Sequence, residues 1–304
     1  NKYRRYFQDL LFQQFHPHTG IPGSERLGLR MFLYTLGPLL EKLPEESDSY
    51  RNHISKTRTL KLITEHFPQS KGHVWILNGS YPNTKIILSS DEANNILTPS
   101  GLYELLKQQT KNTELPVTLI SLPQTQDISG IRDSYLYAAR YLQKTIQFGK
   151  SQLLTITEQI PISVVDTLSK TERDMLYEAL SDKRVKLLVN QYRYFSKTWM
   201  AHAYSQAECT ALTRRCLTEI CRQMPGHETA ALEESALGEL FHITAAARSY
   251  EGFFDSCCQL IETILANYSQ FLVIYNLPKV IVPALAGPYI DRYSRRKTIY
   301  GLDF

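Results

Sequence analysis

Between residues 73 and 192 the chain repeats one pattern, in which a short apolar run is followed by an amphipathic stretch and then by another apolar run. The runs Val74–Leu77, Lys85–Leu88, Val117–Leu122, Leu153–Thr157 and Val185–Val189 have strand length and carry β-branched residues. Between them, helical periodicity covers about 98–109, 132–147 and 169–181. Thr98-Pro99 places a cap before a proline at the first helical position, and Ser169-Lys-Thr-Glu172 matches a capping box. Strands alternating with helices predict an α/β fold with a mixed, mostly parallel sheet flanked by helices. The first two runs are joined through Asn78-Gly79, Pro82 and Asn83, residues that reverse a chain, so they form an antiparallel ribbon.

The flanks read as helical. Residues 3–15 place Tyr6, Phe7, Leu10, Leu11 and Phe15 on one face. The prolines and glycines of 16–23 make a loop, and Ser24 caps a helix from about Glu25 that kinks at Gly37-Pro38. The apolar run Leu27–Leu40 is interrupted and too short for a membrane span, so it reads as part of a buried helix. A further helix at 50–67 turns Leu60, Ile63 and Phe67 inward. After Tyr192 come a long helix at 196–222 and helices at Glu228–Arg248 and Gly252–Tyr268. Phe271–Tyr275 then reads as a strand returning to the sheet, followed by an extended basic tail. The division expected is a helical cap at 1–70, an α/β core at 71–192 and a helical region at 193–304.

Composition narrows the class. With 304 residues, 43% apolar content and a net charge of +4, the chain is a globular protein with one large domain or two ordinary ones. Five cysteines, an odd number confined to the last third, fit a reducing, cytoplasmic setting better than a secreted disulfide framework. No signal-peptide pattern opens the sequence. Only 14 glycines are present and there is no G-x-G-x-x-G; in the Walker-like spacing Gly23 to Gly28, Leu29 stands where a lysine is required. Standard phosphate-loop and dinucleotide chemistry is thereby excluded, and no cofactor is assigned.

Several constellations carry chemistry at first sight. Gly79-Ser80 followed by Asp91-Glu92 offers a phosphate turn and two carboxylates, yet neighbours on a strand point to opposite faces, so the acids cannot share a metal pair. His16 and His18 lack ligand-like companions. His202, Cys209 and Cys216 recur every seven residues on the long helix, but steps of about 10.5 Å keep them from sharing one ion. No metal site is assigned, and no cysteine–histidine pair is singled out as a nucleophile and base.

A parallel sheet binds ligands beyond the carboxyl ends of its strands. That rule selects Glu158 and Asp91 as catalytic acids or bases, and Asn78, Ser121, Asn190 and Asn276 as substrate contacts. Arg58 and Lys61 on the 50–67 helix, with Arg295 and Arg296 in the tail, are the candidate contacts for phosphate or an acidic partner. The first functional expectation is a transferase or hydrolase with a polar cleft at those strand ends. Its alternative is a non-catalytic interaction module using the basic helix and the C-terminal helices. A weaker third is nucleic-acid binding, since the chain as a whole is only mildly basic. The partner expected is a protein or a small molecule.

Overall fold

Leu29–Leu36 is the middle strand, β1, of a five-stranded sheet. The computed structural model describes residues 28–44, 55–90, 95–113, 115–123, 130–181, 185–223 and 229–266, together with Phe7, Leu11 and Ala93. Helix α1 (Lys56–His66) and a short 3₁₀ turn (Pro68–Ser70) lead into β2 (Val74–Asn78) and β3 (Thr84–Ser90). Then follow α2 (Pro99–Thr110), β4 (Val117–Ser121), α3 (Gly130–Thr145) and β5 (Gln152–Thr155). Four further helices are α4 (Lys170–Ser181), α5 (Val185–Ala201), α6 (Gln206–Arg222) and α7 (Thr229–Ala246). A last helix, α8, covers 250–266.

The strand order is β2-β3-β1-β4-β5, and three of its four pairings are antiparallel; only β4–β5 is parallel. The α/β class and mixed sheet stand, while "mostly parallel" is corrected. The physical reason is β1. The crossovers through α2 and α3 do join strands of one direction, β3, β4 and β5. However, β1 inserts antiparallel between β3 and β4 and pairs with both, Phe32 facing Ile87 on one side and Ser121 on the other.

The expected helix from Glu25 is therefore corrected over Leu29–Leu36. Seven of these eight residues are buried because a central strand is covered on both faces, which removes the alternation that marks a half-exposed strand. Gly37, at φ 73°, ends the strand in a conformation that favours glycine. Phe7 and Leu11 are helical and buried, with Phe7 edge-on to Trp75 at 5.4 Å. The remaining expectations for 1–27, and those for Phe271–Tyr275 and the tail, lie outside the described residues.

Two apolar layers cover the sheet. On one face Met31, Leu33, Leu88 and Ile120 pack with Ile131, Tyr135, Ala138 and Leu142 of α3. On the other, Phe32, Tyr34, Ile87 and Leu119 pack with Ile63 of α1 and Leu102, Leu105 and Leu106 of α2. A third core holds α4 to α8 together around Trp199, Phe195, Tyr192, Phe253 and Leu217.

Two elements of that helical region differ from expectation. Val185–Val189 begins α5 instead of forming a strand: Leu188, Tyr192, Phe195 and Trp199 are buried at helical spacing, a period visible only when the window runs past the short apolar run. The single helix expected at 196–222 is two. Ala203 adopts φ 53°, and Ser205 caps α6 in a capping box with Glu208, each satisfying the other's backbone donor. No helix among the described residues is long and apolar enough to cross a membrane.

The sheet layer and the helices meet along a tight seam. Gly149, at φ 65°, runs so close to the bend before α8 that an added Cβ would lie 1.8 Å from the carbonyl oxygen of Arg248. Beside it Phe148 stacks on Phe253 at 4.7 Å and meets Tyr250 edge-on at 5.2 Å. The backbone N–H of Gln206 donates to the carbonyl of Ile146 at 2.8 Å.

Candidate functional site: a cleft along the seam

At one end the seam opens into a cleft of about 780 Å³ between the turn that follows β1 and helices α6 and α7. Its walls are built from local hydrogen bonding. Asn83, fully buried, donates through Nδ2 to the carbonyls of Leu36 (2.8 Å) and Pro38 (2.6 Å) and accepts from the N–H of Leu40 at 3.3 Å. From the other side, Oε1 of buried Gln206 accepts from the N–H of Leu39 at 2.9 Å. Clamped twice, the turn presents Glu41 and Lys42 to the cleft.

The facing wall is α6. Gln206, Thr210 and Arg214 recur every four residues and so share one face, with Gln206 Nε2 donating to Thr210 Oγ1 at 3.2 Å. Ala207 and Ala211, with their short side chains, leave room beside that stripe. Leu237, Leu240 and Phe241 of α7 supply an apolar floor, and Lys42 Nζ sits 4.9 Å from the centre of the Phe241 ring. Val164 and Asp166 of the segment after β5 form a third side; Arg215 Nε reaches the carbonyl of Asp166 at 3.4 Å. Tyr81 also lines the space, its hydroxyl accepting from Gln143 Nε2 at 2.6 Å.

Charge in the cleft is mixed and focused on Arg214. Its Nη1 meets Glu41 Oε1 at 2.7 Å, with 41% of the arginine and 65% of the glutamate side chain exposed. Pairs this wet contribute about 0.2–1 kcal/mol. Arg214 Nε is buried and has no hydrogen-bond partner among the described residues. An orphaned donor of this kind costs about 1–3 kcal/mol, so the guanidinium is incompletely satisfied by its own protein.

The residues selected from the sequence come together only in part. Glu158 is exposed just beyond β5. Asn78 ends β2, which runs opposite to β3, and pairs with Lys85 at the start of that strand, away from the carboxyl ends of β3, β4 and β5. Ser121 is buried at the end of β4, opposite Thr155 at the end of β5, so it and Glu158 do lie at neighbouring parallel strand ends. Asn190 is exposed on α5 and ends no strand. Arg58 and Lys61 are exposed on α1, Lys61 lying 3.6 Å from Glu65. Asp91, Asn276, Arg295 and Arg296 lie outside the described residues.

Other chemical candidates are structural in character. All five cysteines are unpaired and buried. Burial pushes Cys209 and Cys257 up to about 12 and Cys221 up to about 11, so these thiols are protonated at neutral pH and poor nucleophiles. His202 is exposed and stacks on Tyr204 at 5.6 Å, whereas Cys209 and Cys216 are buried. Among the described residues no group of three or more His, Cys, Asp or Glu side chains could hold a metal ion.

Sequence reasoning missed Arg214, Glu41, Lys42 and Gln206. The four-residue spacing on α6 was a signal that these polar residues share a face, but what they face comes from a turn more than 160 residues away. Comparison with protein-family models, with curated proteins and with solved structures finds no match for this chain.

Proposed function

We propose that this protein binds a small organic ligand in the seam cleft without transforming it. The observation that carries the reading is the cleft itself: about 780 Å³, apolar at its floor, with a few polar groups fixed by hydrogen bonds to the backbone. Small-molecule sites commonly span roughly 300–1,000 Å³ and share that lining. A transferase or hydrolase would set a nucleophile or general base toward the same space. Glu158 and Ser121 are not among the residues lining it; the carboxylates that are, Glu41, Asp166 and Glu234, include one already held by Arg214, and none has a nucleophile beside it in the lining, which favours binding over turnover. Five buried, unpaired thiols support a reducing compartment.

The test is a ligand-observed NMR screen of a neutral and charged fragment library against the wild type and Ala211→Phe. The added ring occupies open space in the cleft, so hits should vanish in the variant while its circular dichroism is unchanged. Hits that survive the substitution would place binding elsewhere. A second reading, an acidic macromolecular partner on α1, is favoured by the exposure of Arg58 and Lys61. It predicts retention on a polyanion resin that falls with salt and is lost in the Arg58→Glu/Lys61→Glu double variant.

A further inference from the structure

We propose that the ligand of this cleft is an organic oxyanion, a carboxylate or phosphate monoester on an apolar body, and that Glu41 is the built-in anion it displaces from Arg214. The inference rests on the cleft being a binding site and adds the chemistry of its occupant.

Three observations lead there. The first is convergence: Lys42, Arg214 and Arg215 line the one space with the carboxylates Glu41, Asp166 and Glu234, so the charges balance and an incoming anion must take the place of one of these acids. The second is the state of Arg214. Its guanidinium meets the Glu41 carboxylate in one contact, Nη1 to Oε1 at 2.7 Å, with 41% of the arginine side chain still exposed. A guanidinium reaches its strongest geometry with two parallel N–H donors on one oxyanion; Nη1 forms such a pair with Nη2 at the tip of the group, so a ligand that spans the two improves on the single contact to Glu41. The third is replaceability. Glu41 is the most exposed member of the pair and hangs from a turn held by its backbone through Asn83 and Gln206, so its side chain can leave without unlatching the turn.

The floor then sets the body of the ligand. Leu237, Leu240 and Phe241 line the space opposite the Gln206–Thr210–Arg214 stripe, so an apolar chain lies against α7 while its acidic head meets Arg214. Thr210 adds a hydroxyl on the same wall; its oxygen is held by Gln206 Nε2, which leaves its O–H to donate to an oxygen near the head. Lys42 is drawn toward the Phe241 ring and contributes a second positive charge from the opposite side.

Isothermal titration with octanoate, octyl phosphate and neutral octanol tests the assignment. Wild type is expected to bind at least one acid ten-fold more tightly than octanol, and the better of the two acids identifies the head group. Glu41→Gln removes the competitor and should tighten that acid at least three-fold. Arg214→Met should lose the preference for acid over alcohol, and Arg214→Lys should restore only part of it, because an ammonium cannot form the paired contact. Octanol binding as tightly as both acids, acid binding unchanged in Arg214→Met, or no acid binding to either wild type or Glu41→Gln would each overturn the proposal. If Ala211-sensitive neutral fragments bind while both acids fail, the cleft remains a binding site and only its anion chemistry falls.

Discussion

Two ion pairs tie α6 to the sheet layer, and they behave as opposites. Near the N-terminus of the helix, Glu208 is wholly buried: Lys144 reaches Oε1 at 2.7 Å, the N–H of Val165 donates to Oε1 at 2.9 Å, and the N–H of Ser205 donates to Oε2 at 2.9 Å. Six residues further on, Arg214 meets Glu41 at the same 2.7 Å, but both groups stand in water and the arginine keeps an unused donor. Equal distance hides unequal roles. The first pair joins three segments of the fold through a fully satisfied acceptor, whereas the second is a single contact at an open cleft. Burial and the count of satisfied partners, more than separation, decide which ion pair is architecture and which is exchangeable.

The comparison can be broken at several points. The largest effect is expected at the seam itself. Gly149→Ala places a side chain in a left-handed conformation and against the Arg248 carbonyl, and should cost about 3 kcal/mol or more in urea unfolding. A loss below about 1 kcal/mol would show that the two layers can part locally at no great cost. Glu208→Ala leaves the N–H groups of Val165 and Ser205 without their acceptor and should cost about 3 kcal/mol. If it matches a surface substitution, the buried pair is not architectural.

Lys85 provides a charge buried without a carboxylate among its hydrogen-bond acceptors. Its ammonium donates to the carbonyls of Pro82 (3.0 Å) and Thr84 (3.1 Å), and burial, with Lys56 nearby, lowers its pKa from 10.5 to about 8. The unfolded chain therefore holds the proton more tightly than the folded one, and stability should rise as pH climbs from about 8 to 10.5. Below pH 8 the penalty is fully present, so Lys85→Met should stabilise the protein at pH 7 by about 1–2 kcal/mol and flatten that rise. Equal stability curves for the two proteins across this range would count against a buried, strained ammonium. The smallest effect is expected for Glu41→Gln, which should change unfolding free energy by less than about 0.5 kcal/mol. A loss as large as that of Glu208→Ala would erase the distinction between the pairs.

Much of the secondary structure could be read in advance wherever a local signal was complete. Thr98-Pro99 does cap α2, with Thr98 Oγ1 accepting from the N–H of Gly101 at 3.2 Å. Ser169 and Glu172 exchange the expected bonds at the start of α4. The same chemistry at Ser205 and Glu208 was equally present in the sequence, and reading 196–222 as one helix passed over it. The run at Leu29–Leu36 shows a different limit. A strand buried on both faces and a buried helix carry the same apolar composition, and only pairing partners distinguish them.

The site was harder to read than the fold. Rules for parallel sheets gathered Asn78, Ser121, Glu158 and Asn190 at one imagined rim. Ser121 and Glu158 stay at the neighbouring ends of β4 and β5, while the direction of β2 and one helix in place of a strand take Asn78 and Asn190 away from them. The cleft that does form depends on contacts such as Leu39 with Gln206 and Glu41 with Arg214, between segments far apart in the chain.

By itself the sequence determined the α/β class, the helices α2, α3 and α4, the β2–β3 ribbon and the unpaired state expected of the thiols. Each follows from periodicity, capping or composition within a short window. Tertiary structure alone decided that β1 is a strand, that it runs against both neighbours, and that Asn83 and Gln206 hold a turn over α6. Those outcomes come from which distant backbone groups and side chains complete one another's hydrogen bonds and shared burial, and no local pattern encodes that choice.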